Sequence, residues 1–102
     1  MSPNANYLTG RRWEYTRMKY YRDQGYTVIR ASGSHGLFDL VCIRANEIML
    51  IQCKVVSTDA EAERMLHSWR ATAGACWCNL VGVHQVLEIK VKGSSTVLRS
   101  TV

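Results

Sequence analysis

Proline is nearly absent from this 102-residue chain, and the one present, Pro3, lies near the start. Nothing after about residue 8 therefore forces a break in regular structure. Long apolar runs are missing too. No stretch approaches the roughly 18 residues of a membrane span, and MSPNANYLTGRRW has no apolar centre of an export signal. Neither membrane insertion nor Sec-type export is expected, which points to the cytoplasm. Internal repeats and low-complexity tracts are absent as well, so the chain after about residue 8 reads as continuous structure. Acidic residues are scarce: eight Asp and Glu stand against thirteen Lys and Arg, for a net charge of +5. A basic chain suits an anionic partner, either a nucleic acid or an anionic membrane surface.

Four cysteines, Cys42, Cys53, Cys76 and Cys78, in a chain without an export signal suggest a reducing compartment and free thiols rather than a disulfide scaffold. His67 and His84 could complete a metal site with Cys76 and Cys78, but the C-x-C spacing fits neither a zinc ribbon nor a finger. Small buried thiols and metal-free folding are the expectation. With 47% apolar and 21% charged residues, the composition is globular, and the length allows one hydrophobic core. The chain reads as a single domain, 1–102, with residues 1–8 as a flexible N-terminal segment.

Thr9 is a fair helix cap, residues 10–24 contain no strong breaker, and Gly25 is placed to end the helix. Residues 26–31 (YTVIRA) read as a strand, followed by the turn cluster Ser32-Gly33-Ser34-His35-Gly36. Strands over 38–44 and 48–56 are joined by Ala45-Asn46-Glu47 as a hairpin. Asp59 can cap a second helix to about Ala73, with Ala62, Met65, Leu66, Trp69 and Ala73 as its apolar stripe and Gly74 as its stop. Strands over 77–83 and 86–91 follow, with a short one over 96–102 after a Gly93-Ser94-Ser95 turn. The order α-β-β-β-α-β-β makes an α/β fold, a mixed β-sheet flanked by helices.

Parity then sorts the hairpin. Asp39, Val41 and Ile43 share one face of their strand, and Leu50, Gln52 and Lys54 share one face of the next. Asp39, Gln52 and Lys54 can converge at one sheet margin in an otherwise apolar hairpin, where charged groups need partners. One reading is a hard-cation site. The Asp39 carboxylate, the Gln52 amide oxygen and the Cys53 backbone carbonyl would be the ligands, with Lys54 beside an attacking water. The other is a partly buried Asp39–Lys54 ion pair, with Gln52 hydrogen-bonded beside it.

Asp39 followed by Gln52-Cys53-Lys54 at the end of an apolar strand resembles the PD-(D/E)xK nuclease signature. The run GRRWEY…GYTVIRASGSHGLFDLVCI…IMLIQCK over residues 8–56 is similar to archaeal-type Holliday junction resolvases and their phage and bacterial relatives. The resemblance implies a restriction-endonuclease-like core and a metal-dependent, structure-selective DNA endonuclease that resolves Holliday junctions. It assigns catalytic roles to Glu14, Asp39, Gln52 and Lys54, and metal contacts to Asp39, Gln52 and the Cys53 carbonyl, with Glu14 reaching the metal through water. Mg²⁺ is the implied cofactor and Mn²⁺ its substitute. Ser32 or Ser34 matches the family's loop serine. Two departures stand out. Gly36-Leu37-Phe38 replaces the proline that commonly precedes the aspartate, and Gln52 replaces an acid, so weak catalysis is expected. Without the resemblance, Glu14 would read as a surface partner of Arg11, Arg17 or Arg22.

Residues 1–54 hold eight basic against four acidic residues, so the positive excess lies in the half with the candidate site. Arg11, Arg12, Arg30, Ser32, Ser34 and His35 are the candidate DNA contacts, with Arg17, Lys19 and Arg22 adding charge among Tyr15, Tyr20 and Tyr21. No base-reading motif is visible, so the expected substrate is branched DNA read by shape, a four-way junction above all. A junction is cut in two strands, so a homodimer is expected, with Trp77, Leu80 and residues 96–102 as candidate interface. If phage-encoded, the chain would act in the host cytoplasm. Rival readings are a nuclease for other DNA structures and a non-catalytic DNA-binding module on the same fold.

Overall fold

The first helix sets the frame. Nothing between Ala5 and Asp23 opposes helix, and α1 occupies that whole span, Ala5–Asp23. It begins ahead of the expected cap at Thr9, because threonine and glycine inside a helix each cost only about 1 kcal/mol or less. Its end falls where glycine requires it. Gly25 adopts φ 94°. Its N–H donates to the Arg22 carbonyl at 3.0 Å, and the Tyr26 N–H donates to the Tyr21 carbonyl at 3.1 Å. This bond pair closes a helix on a left-handed residue. The chain is described from a computed structural model that covers residues 5–31, 38–76, 82–95 and 97–101, with side chains described outside 5–8 and 72–76.

Three strands follow, β1 (Thr27–Arg30), β2 (Leu40–Arg44) and β3 (Glu47–Val56). The β2–β3 hairpin turns at Asn46, whose φ of 61° suits asparagine better than most residues. Helix α2 (Asp59–Cys76) comes next, with two corrections to the sequence reading. Thr58, not Asp59, caps it: the Thr58 hydroxyl accepts the Glu61 N–H at 3.2 Å, while Glu61 accepts the Ser57 N–H at 3.1 Å. Gly74 does not stop it, because Ala71, Ala73 and Ala75 keep local helix propensity high.

The last strands are β4 (Val83–Val91) and β5 (Val97–Thr101). Where separate strands over 77–83 and 86–91 were expected, the chain runs unbroken from Val83, since His84 and Gln85 contain no breaker. The turn falls at Gly82, φ 85°, where an added Cβ would meet the Asn46 carbonyl oxygen at 2.8 Å. Residues 77–81, including Trp77 and Leu80, lie outside the described residues. The element order is α-β-β-β-α-β-β, as expected.

The sheet runs β1-β2-β3-β4-β5, antiparallel except for the central β3–β4 pair, which α2 connects in parallel. Alternation sends Met49, Ile51 and Cys53 to the face covered by α1, where they pack with Trp13, Met18 and Tyr21. Val56 lies on the opposite face with Leu87, Ile89 and Val91, under Ala62 and Trp69 of α2. Helix α2 packs on β3, β4 and β5. Ile29, Ile43 and Ile48, toward the other edge, remain exposed.

Candidate active site

The site forms where two strands part. The β2–β3 ladder ends at the Leu40–Ile51 pair, yet β3 continues to Val56 beside β4 alone. Asp39 stands at the fork. Its N–H still donates to the Ile51 carbonyl, and its carboxylate Oδ2 accepts the Cys53 N–H, both at 2.8 Å. The side chain thus replaces the strand partner that Cys53 lacks. In a strand the N–H and C=O of one residue leave on the same side, so the Cys53 carbonyl also faces the fork. The other Asp39 oxygen has no hydrogen bond among the described residues.

Glu14 reaches the same place from α1. Glu14, Asp39, Lys54 and Arg11 line one cavity of about 290 Å³, with Gly10, Cys53 and Val55 completing its wall. Burial and then the neighbouring Asp39 charge push the Glu14 carboxyl above its ordinary pKa, against the pull of Arg30 and Arg11. Two carboxylates from different elements, one perturbing the other in a cleft, are a common mark of functional chemistry. Gln52 lies off this cavity. It lines an adjoining cleft with α2, and Lys54 borders both. The Lys54 side chain is exposed and has no hydrogen bond or ion pair among the described residues. An Asp39–Lys54 ion pair is thus not formed.

The basic residues divide by use. Arg30 pairs with Glu14 at 3.7 Å and lies 5.2 Å from the Tyr15 ring centre, and its buried Nε has no partner among the described residues. Arg11 donates to the Tyr15 hydroxyl at 3.3 Å, and Arg12 is exposed. Lys19 is held by Asp23, and Arg22 donates to the Val28 carbonyl. Arg17 is not on the solvent face. It forms a two-pronged pair with Glu88, both contacts 2.9 Å, while Tyr21 donates to the same carboxylate at 2.6 Å. The sequence reading missed Glu88, although a glutamate inside the apolar run Val86-Leu87-Glu88-Ile89 signals a buried charge that needs a partner. Ser32, Ser34 and His35 lie outside the described residues.

Cys42 and Cys53 are buried, free thiols, as expected. Burial pushes the Cys42 pKa up to about 11, and that of Cys53 also rises. Neither is a ready nucleophile. Among the described residues no three His, Cys, Asp or Glu side chains gather as a metal cluster. Two acids, Glu14 and Asp39, line the cavity at the fork, and Gln52 lies in the adjoining cleft.

The archaeal Holliday junction resolvase (Hjc) family matches residues 5–98. The chain belongs to that family. Junction resolution is a structure-selective endonuclease reaction on DNA, so membership carries the nuclease activity foreseen from Asp39, Gln52 and Lys54. Hjc of the archaeal hyperthermophile Archaeoglobus fulgidus, a Holliday junction resolvase, has a similar fold: TM-score 0.55 at 16% identity, covering 89% of this chain and 70% of that one. This likeness supports the restriction-endonuclease-like core. No curated protein sequence matches the chain. No described helix of this resolvase-family chain is long and apolar enough to cross a membrane.

Proposed function

We propose that the chain hydrolyses phosphodiester bonds in four-way DNA junctions, as a homodimer in the cytoplasm (the host's, if phage-encoded), with Mg²⁺ as its metal and Mn²⁺ as a substitute. The observation that carries this is the cavity at the β2–β3 fork, where Glu14, Asp39 and Lys54, unpaired among the described residues, meet. Oxygen donors of this kind suit a hard cation: the Asp39 carboxylate, the Cys53 carbonyl and Glu14 through water, with the Gln52 amide from the adjoining cleft. When bound, the ion lowers the pKa of a water and offsets charge on the phosphoryl oxygens.

Residues of the chain do the rest. Lys54 orients the attacking water or neutralises charge gathering on the phosphorus oxygens. Asp39, fixed by the Cys53 N–H, keeps its free oxygen directed to reacting groups rather than to the fold. Burial and the neighbouring Asp39 charge raise the Glu14 carboxyl above its ordinary value, so it holds a proton more readily than an exposed glutamate. Arg11, Arg12 and Arg30, with Ser32, Ser34 and His35, would hold the DNA backbone around the cut. Gln52 supplies an oxygen without a charge, so metal affinity and rate are expected to be low for the fold. Exposed Ile29, Ile43 and Ile48 offer an apolar face suited to a second copy.

The test is cleavage of a synthetic four-way junction with Mg²⁺ or Mn²⁺, beside a linear duplex, a flap and a nicked duplex. Wild type should cut the junction preferentially. Asp39→Asn should bind it normally, and both Asp39→Asn and Lys54→Ala should cut at least about a hundredfold more slowly. Equal cutting of flaps or nicks would make it a nuclease of another specificity. Tight junction binding with no cutting under any divalent ion would make it a non-catalytic module.

A further inference from the structure

Beside the catalytic cavity, β3 and α2 enclose a second cleft of about 480 Å³. It shares Lys54 with the first cavity. Its floor is apolar, formed by Met65 and the buried Trp69. Its rim is polar: Gln52 and Lys54 on the strand, Arg64 and Ser68 on the helix. Helical spacing explains the division. Arg64 and Ser68 lie four apart on one line of α2, and Met65 and Trp69 form the next line, turned toward the sheet. Glu61 also borders the cleft, but its carboxylate accepts the Ser57 N–H at the helix cap.

Three of these side chains stand idle. Gln52, Lys54 and Arg64 have no hydrogen bond or ion pair among the described residues. Two idle cations across a cleft with an apolar floor match one repeating unit of a DNA strand, an anionic phosphate joined to a largely apolar sugar face. Continuity through Lys54 says which unit. A strand whose scissile phosphate sits at Lys54 can pass round the edge of β3, open beyond Ile51, into this cleft.

We propose that the β3–α2 cleft holds the nucleotide next to the scissile phosphate on the cut strand, with Arg64 clamping its phosphate and Met65 and Trp69 lying against its sugar. The assignment rests on the endonuclease reading above and adds a binding site to it. It also gives Gln52 a second role, contact with that nucleotide.

The test couples a change in the protein to a change in the DNA. Wild type first maps the cut position in the junction. The Asp39→Asn protein then binds uncut junctions carrying one neutral methylphosphonate at each phosphate within two nucleotides of the cut, with and without Arg64→Ala. Arg64 is exposed, so its truncation leaves the fold intact. Arg64→Ala should weaken binding about tenfold and reduce the salt dependence by about one phosphate contact. One methylphosphonate position should cause a similar loss with Arg64 present and little further loss without it, and Arg64→Lys should restore part of the affinity. Unchanged affinity in Arg64→Ala, or equal methylphosphonate penalties with and without Arg64 at every position, overturns the assignment. If wild type does not cut junctions, whether or not it binds them, the endonuclease reading itself fails and the cleft assignment with it. If it cuts them and the coupling is missing, only the cleft assignment falls.

Discussion

Helix α1 carries two polar clusters about one turn apart, and they differ in a way that separates structure from chemistry. Around Glu88, which is 0% exposed, every charge is answered: Arg17 binds both carboxylate oxygens, Tyr21 donates to one, and Arg99 approaches at 3.5 Å. Arg17 is also stacked 4.1 Å from the Tyr20 ring centre. Around Glu14 the accounts do not close. Two carboxylates share a cavity, Arg30 stands 3.7 Å from Glu14, and Lys54 has no partner among the described residues. Both clusters set carboxylates among cationic side chains. What differs is how far the fold satisfies them, and the less satisfied set is the one proposed above to serve a substrate.

The comparison breaks most sharply at Glu88. Glu88→Ala leaves Arg17 buried and unpaired, and should cost about 3–5 kcal/mol of stability in a urea titration. A loss under 1 kcal/mol would mean that the closed cluster does not anchor α1. The open cluster should respond in function instead. Gln52→Glu adds the missing carboxylate and should lower the Mg²⁺ concentration for half-maximal junction cutting by on the order of tenfold. An unchanged metal requirement would remove Gln52 from the ligand set and leave it to the neighbouring cleft.

The smallest effect is expected at Glu14. Its carboxyl titrates above the ordinary value of 4.5, from burial first and the Asp39 charge second. A carboxyl with a raised folded pKa holds its proton more tightly in the folded chain than in the unfolded one. Its contribution to stability is therefore present at low pH and lost as pH rises through the raised value. Glu14→Gln removes that loss. The variant should melt slightly above the parent at neutral pH, the gap should close on acidification, and junction cutting should fall. A variant that melts below the parent at neutral pH, with the deficit closing toward acid pH, would place Glu14 in an ordinary ion pair with Arg30.

Much of the architecture was legible because it depends on periodicity and punctuation. The strand parity that separates Gln52 and Lys54 from Ile51 and Cys53, the glycine that ends α1, and the stripe of Ala62, Met65 and Trp69 are local patterns, and the packing repeats them. The misplacements at Thr9, Asp59 and Gly74 share a cause. A cap or a breaker is a preference of about 1 kcal/mol, which neighbouring residues easily outweigh.

By itself, the sequence determined the order of elements, the faces of the sheet, and the family to which Asp39, Gln52 and Lys54 point. Tertiary structure alone decided which charges would be consumed. It buried Arg17 against Glu88, 71 residues away, fixed Asp39 on the Cys53 N–H, and set Gln52 in a cleft apart from Asp39 and Glu14. The physical reason is range. Periodicity acts over a few neighbours along the chain, whereas desolvation and charge pairing depend on which distant segments the fold brings into contact.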